Sequence, residues 1–169
     1  MHNISEFKIN KHKYGLTLVE EDMAAKFYRI IQKDREQLGK WCSWANKIRF
    51  IDDETDFIKA ARQDCIFILA IIDEQNPIGI IDLHNLDEDK HTCEIGYWLS
   101  SDYQGKGIMY NSLQVMNCYA FNFFDIEKLK IISQIKNMKC RHVAERAGFN
   151  FKEIKDPFAI YTKEKTDWE

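Results

Sequence analysis

The segment from Glu94 to Leu113 changes its hydrophobic period in mid-course, and this change constrains the fold more than any other feature of the chain. Glu94–Leu99 is largely apolar and aromatic at strand length, and Ser100-Ser101-Asp102 breaks the run. Gly105 and Gly107 then bracket Lys106 just before an apolar series at helical spacing: Ile108 or Met109, Leu113, Met116, Ala120 and Phe123. The reading is strand, glycine loop, then helix to about Phe124. A helix that starts at glycines presents unpaired N–H groups and the positive end of its dipole, which together can hold an anion. The glycines let a phosphate approach the backbone, Lys106 adds a positive charge and Gln104 an amide. On spacing alone, a plain strand-to-helix turn would use the same residues, so both readings stand. The pattern is not a nucleoside-triphosphate loop. Nor is it the dinucleotide Gly-x-Gly-x-x-Gly, because position 110 is Tyr.

Glu94-Ile-Gly-Tyr-Trp-Leu99 followed by Tyr103-Gln-Gly-Lys-Gly-Ile-Met109 resembles the acetyl-CoA-binding motif of the GNAT family of N-acetyltransferases, in the branch that acetylates ribosomal-protein N-termini. The family pattern is Arg/Gln-x-x-Gly-x-Gly/Ala. Gln104, Gly107 and Met109 fall on its fixed positions, with Met109 departing from the usual small residue. The segment Asn137–Phe149 resembles the family's second motif, which runs from Asn to Gly-Phe, with Cys140 where serine is usual. Leu38-Gly-Lys-Trp41 and Leu83-His-Asn-Leu-Asp87 resemble the same branch, so the likeness extends from about Tyr14 to Trp168. It implies an α/β (α+β) fold with a mixed, mainly antiparallel sheet, a central V-shaped splay and flanking helices.

The resemblance also implies a chemistry. Acetyl-CoA is expected between the strand ending at Leu99 and a strand over 129–135. Backbone groups of Trp98, Leu99 and Ser100 are expected beside the pantetheine arm, with Asn137 near it. Gln104, Gly105, Lys106, Gly107, Ile108 and Met109 are expected around the pyrophosphate. Direct transfer to a primary amine needs a base, an oxyanion donor and a proton for the leaving thiolate. Glu94 is the first choice of base, acting directly or through water. His84 is the second, suited to neutral pH by its unperturbed pKa, although a structural His84 is also open. Leu99 N–H is the expected oxyanion donor. Cys140, with a free thiol pKa of about 8.5, either donates to the leaving sulfur or is a small buried residue beside a helix cap. A covalent acetyl-cysteine route is disfavoured, because the family transfers directly and His142 points elsewhere on the helix.

Composition fits one domain over residues 1–169, with two prolines and no linker or repeat. The longest apolar run, Cys65–Ile72, is too short to cross a bilayer, and the start lacks a signal-peptide pattern, so a cytoplasmic protein is expected. Five cysteines without close pairing suggest reduced thiols, and five scattered histidines give no metal site. A net charge of −3 with interspersed signs argues against direct nucleic-acid binding. Lys128, Lys130, Lys136, Lys139 and Arg141 make a locally basic region, either a solvated face or, by resemblance, a neighbour of the coenzyme phosphates.

Along the chain, the patterns predict a strand at Tyr14–Val19, a helix from about Met23 to Gln37, and a short helix ending near Gln63. A hairpin of Cys65–Ile72 with Ile78–Leu83 follows, then a strand at His91–Leu99 with Glu94, Gly96 and Trp98 on one face. After the glycine-led helix come a strand at Leu129–Ile135, a helix over 138–147 capped by Asn137, and strands Phe149–Ile154 and Phe158–Thr162. The short Lys155-Asp-Pro157 connection leaves little chain for a lid. The acceptor end should therefore be open, suiting a protein or peptide N-terminus or a bulky amine. A small-molecule amine acetylase, for polyamines or aminoglycosides, and a non-catalytic acyl-CoA-binding protein remain alternatives. The acidic loop Asp87-Glu88-Asp89 either favours cationic acceptors or is a solvated turn. A homodimer is suggested by resemblance only.

Overall fold

The interior strand β3 (Phe67–Asp73) has the sequence Phe-Ile-Leu-Ala-Ile-Ile-Asp, apolar except at its end, as a strand covered on both faces requires. It pairs antiparallel with β2 (His12–Leu18) on one side and β4 (Asn76–Asp87) on the other. The computed structural model describes residues 3–168. The remaining strands are β1 (Ser5–Ile9), β5 (Thr92–Leu99), β6 (Lys128–Gln134), β7 (Asn150–Lys155) and β8 (Phe158–Glu164). Among the described residues they form one eight-stranded sheet in the order β1-β2-β3-β4-β5-β6-β8-β7. Every neighbouring pair is antiparallel except β5 with β6.

Period-two alternation along β3 divides the interior into two cores. Leu69 and Ile71 face one side, where α4 (Ile108–Phe123) and α5 (Met138–Arg146) pack through Leu113, Met116, Ala120 and Ala144. Ile68, Ala70 and Ile72 face the other. There α1 (Ala24–Lys33), α2 (Arg35–Trp41) and α3 (Ile51–Asp64) bury Phe27, Ile31, Leu38 and Ile58.

The structure differs from the sequence-based expectation in three places. First, β1 was not anticipated. It is a half-exposed edge strand, joined to β2 by Asn10 and Lys11 at φ 49° and 70°, the left-handed pair that a tight hairpin turn uses. Second, the helix expected over 23–37 is interrupted at Asp34, whose backbone sits at φ −99° and ψ 11°. Its carboxylate accepts the Ser101 N–H at 2.8 Å and the Ser101 hydroxyl at 2.6 Å, tying the α1–α2 junction to the end of β5. Third, Phe123 is 70% exposed while Phe121 is 1% exposed, so the buried face of α4 ends two residues before its last aromatic residue.

Candidate active site

The site begins as a defect in the sheet. β5 and β6 pair only at Thr92 with Lys128, Cys93 with Leu129, and Glu94 with Lys130. Beyond that point β5 stays with β4 as far as Leu99 while β6 stays with β8 as far as Gln134, so a wedge opens between two parallel strands. Ser100 N–H donates to the Ile78 carbonyl at 2.8 Å, which fixes the alternation of backbone groups on β5. Trp98 therefore turns its backbone toward β4, and Tyr97 and Leu99 turn theirs toward the wedge. Of the expected trio, only Leu99 offers its N–H to the gap. Ser100 N–H is already taken by β4, and Trp98 borders the cleft without aiming its amide into it.

The glycine loop lies at the mouth of this wedge. Gly105 and Gly107 adopt φ 75° and 82°, a region that favours glycine, and Gly107 is the N-cap of α4. A Cβ built on Gly105 would meet nothing within 4 Å, so the loop is open for a ligand to approach. Ile108 and Met109 are buried in the core under α4, which leaves their backbone as the part available at the helix start. That explains how Met109 can stand where the motif has a small residue. Lys106 lies over the Tyr103 ring at 5.2 Å. The Gln104 side chain joins three elements: it donates to the Leu99 carbonyl at 3.0 Å, and its oxygen accepts from Gln37 at 3.3 Å and Lys139 at 3.1 Å.

A cleft of about 550 Å³ connects the loop, the wedge and the α2 wall. Asn137 and Cys140 line it from α5. Asn137 Oδ1 accepts the Cys140 N–H at 3.2 Å and so caps the helix as expected. The Cys140 sulfur lies 3.1 Å from the Tyr97 hydroxyl. Burial pushes the Cys140 thiol above its ordinary pKa, and hydrogen bonds from Ser133 and Tyr97 partly offset that.

Glu94 and His84 lie elsewhere. They face each other across β4 and β5, five residues back from Leu99, or about 16 Å at ~3.3 Å per residue, and neither lines the cleft. His84 Nδ1 is 2.6 Å from Asp82 and its Nε2 is 3.5 Å from Glu94 Oε2, which also accepts from Asn85 at 3.2 Å. Hydrogen bonds to Asp82 and Glu94 raise the His84 pKa to about 9 despite its partial burial. This departs from the expectation of an unperturbed imidazole: a pKa of about 9 favours the protonated form at neutral pH and disfavours His84 as the base. The same contact holds Glu94 below the usual carboxylate range, against the opposing effect of burial.

Other cleft residues were missed from sequence. His142 lines the cleft, as do Tyr97, Gln37, Trp41 and Arg146. Tyr97 could have been found from strand alternation, since it shares Leu99's orientation. Gln37 carries no local signal, whereas Trp41 belongs to the Leu38–Trp41 segment that the family resemblance already marks. Among the described residues, no group of three or more His, Cys, Asp or Glu is placed to hold a metal ion, and no helix is long and apolar enough to cross a membrane.

The acetyltransferase (GNAT) domain model matches residues 15–150. The chain belongs to the GNAT acetyltransferase family. A Bacillus subtilis (strain 168) protein named "Putative ribosomal N-acetyltransferase YdaF" is 33% identical over 147 residues, covering 84% of this chain and 80% of that one. The ribosomal-protein-serine acetyltransferase of Escherichia coli (strain K12) is 26% identical over 141 residues, covering 79% and 77% respectively. The crystal structure of the microcin C7 self-immunity acetyltransferase MccE, in complex with acetyl-CoA and AMP, superposes with a TM-score of 0.81 at 24% identity, over 95% of this chain and 97% of that one. This GNAT chain is thus an acetyltransferase with the GNAT fold.

Proposed function

We propose that this GNAT chain transfers the acetyl group of acetyl-CoA directly to the N-terminal amine of a protein or peptide, of the kind the ribosomal-protein acetyltransferases modify. The observation that carries this reading is the wedge, where the Leu99 N–H faces the gap between β5 and β6 beside a helix that starts at Gly107. Free N–H groups at Gly107–Met109 suit a pyrophosphate, and the open face of Gly105 admits it. The inward-facing backbone of Tyr97 and Leu99 suits an extended amide-bearing arm, much as a neighbouring strand would.

In the reaction the Leu99 N–H stabilises the charge that develops on the thioester oxygen. Glu94, kept ionised mainly by its hydrogen bond with His84, stands at the closed end of the wedge about 16 Å from Leu99, so it takes up the amine proton only through a chain of several waters along the gap. The Cys140 thiol gives its proton to the departing CoA sulfur. The names of the curated relatives support a protein amine as acceptor, and the two-residue Asp156–Pro157 connection between β7 and β8 leaves that end of the site uncovered. The five free cysteines suit a reducing compartment, and we place the activity in the cytoplasm.

The test is acetyl-CoA consumption against a panel of N-terminal peptides, ribosomal proteins, polyamines and aminoglycosides. Acetylation of the α-amine of at least one peptide or ribosomal protein, located by mass spectrometry, is the expected result. Turnover confined to small amines would overturn the acceptor assignment, and CoA binding without turnover on any amine would overturn the reaction itself.

A further inference from the structure

Beyond the bridge formed by Gln37, Gln104 and Lys139 lies a second cleft, of about 580 Å³. One wall comes from α1 and α2 with Lys33, Lys40 and Trp41, and the other from the β6–α5 turn with Lys136 and the first turn of α5 with Lys139. Gln37, Trp41, Asn137 and Lys139 line both clefts, so an extended chain could run from the wedge into this groove.

The charge of the groove runs against that of the molecule. The whole chain carries −3, yet the groove has four lysines against two carboxylates, Asp34 and Glu36. Neither carboxylate cancels the excess. Asp34 is buried and occupied by Ser101, and Glu36 lies 3.6 Å from Lys40 on the outer surface of α2 with most of its side chain in water. Lys33 pairs with Asp102. Lys139 is held only by the neutral amide of Gln104, and the Lys136 ammonium makes no ion pair or hydrogen bond among the described residues. Two ammonium groups are therefore left without a charged partner on the wall opposite Lys40. Trp41 adds an aromatic surface to the α2 wall.

We propose that this groove receives an acidic segment of the acceptor, the residues that follow its amino terminus, and so selects acceptors with Asp or Glu near the modified amine. The inference rests on the peptide-acceptor reading above and makes it more specific. Carboxylates on a chain threaded from the wedge pair with Lys136 and Lys40, and a side chain between them packs on Trp41. The acidic loop Asp87–Asp89 does not oppose this, because it lies at the far end of β4 and β5, beyond the closed end of the wedge.

The experiment reads binding first and turnover second. Labelled peptides of one length share a free amino terminus and the same first residues, and continue with acidic, neutral or basic residues. Fluorescence anisotropy is measured with CoA present. The acidic peptide binds roughly tenfold tighter than the neutral one at low salt, and the advantage shrinks as salt rises. Lys40→Glu combined with Lys136→Glu transfers the preference to the basic peptide while calorimetry finds CoA affinity unchanged. Equal binding of all three peptides overturns the proposal. A double variant that loses CoA affinity but keeps the acidic preference also overturns it, since the groove then serves a coenzyme phosphate. Preferential binding of acidic peptides with none acetylated would leave the groove standing and defeat the transfer reading. Acetylation without charge preference would do the reverse.

Discussion

The Tyr97 hydroxyl lies 3.1 Å from the Cys140 sulfur and 3.2 Å from the Cys140 carbonyl oxygen. A carbonyl can only accept, so when the tyrosine donates to it the thiol donates to the tyrosine oxygen. Once the thiol has given up its proton, the same hydroxyl can rotate and donate to the sulfur. Tyr97→Phe removes a hydrogen bond that lowers the thiol pKa against the effect of burial. The expected result is a Cys140 alkylation profile moved to higher pH, with kcat lowered several-fold to about tenfold and KM for acetyl-CoA unchanged. An unmoved profile means that the hydroxyl does not tune the thiol.

Glu94→Gln keeps the shape of the side chain and removes its charge. As the proposed base, its loss lowers turnover by about 10²–10⁴, while acetyl-CoA affinity holds because the glycine loop is untouched. If turnover and the pH–rate profile both match those of the parent enzyme, Glu94 is not the base.

His84 gives the fold a pH dependence of definite sign. Its folded pKa of about 9 lies above its ordinary value of 6.5, so its contribution to stability is complete below pH 6.5 and is lost as pH rises through 9. With the side chain 31% exposed and the Glu94 contact at 3.5 Å, solvent screening leaves roughly 1–2 kcal/mol in play. Urea midpoints should fall across that window and stay flatter in His84→Asn. A parent midpoint that does not change between pH 6.5 and 9 excludes the Asp82–His84–Glu94 charge arrangement.

Gly107→Val tests the glycine loop. A Cβ there meets only Ile9 Cδ1 at 3.9 Å and Asn111 at 4.0 Å, so the site has room. The penalty comes from φ 82°, where a β-branched residue is strained by roughly 1–2 kcal/mol. Relief of that strain turns the first N–H groups of α4 away from their common focus. CoA affinity measured by calorimetry should drop by at least about tenfold, with far-UV circular dichroism preserved. Undiminished affinity would move the phosphate site elsewhere.

How much of this was legible in sequence depended on the range of the interaction. The glycine loop, α4 and the Asn137 cap are set by neighbouring residues, and they appeared where period and capping placed them. The β3–β4 hairpin was equally plain, because its apolar runs flank a short polar turn. The break at Asp34 was not, since its cause is Ser101, 67 positions away. Nor was the charge of His84, which arises from Asp82 beside it and Glu94 on the paired strand. The wedge itself follows from where β5–β6 pairing stops. That boundary, which no local pattern marks, came only from the family resemblance.

The β7–β8 connection bears on the size of the acceptor. The strands end at Lys155 and begin again at Phe158, so only Asp156 and Pro157 cross between them, and the Pro157 carbonyl is engaged by the Ile135 N–H at 2.9 Å. A turn this short, fastened to the β6–α5 segment, cannot fold over the wedge to enclose a small substrate. A polyamine would then sit largely in water with few groups to desolvate it, whereas a peptide backbone gains contacts along the open rim. Steady-state kinetics should give a lower kcat/KM for spermidine than for the best N-terminal peptide. Grafting a longer Gly/Ser-containing connection at 156–157 should narrow that gap only if the missing cover is the cause. A spermidine value well above every peptide and bulky amine would defeat the open-site reading, whatever the behaviour of the graft.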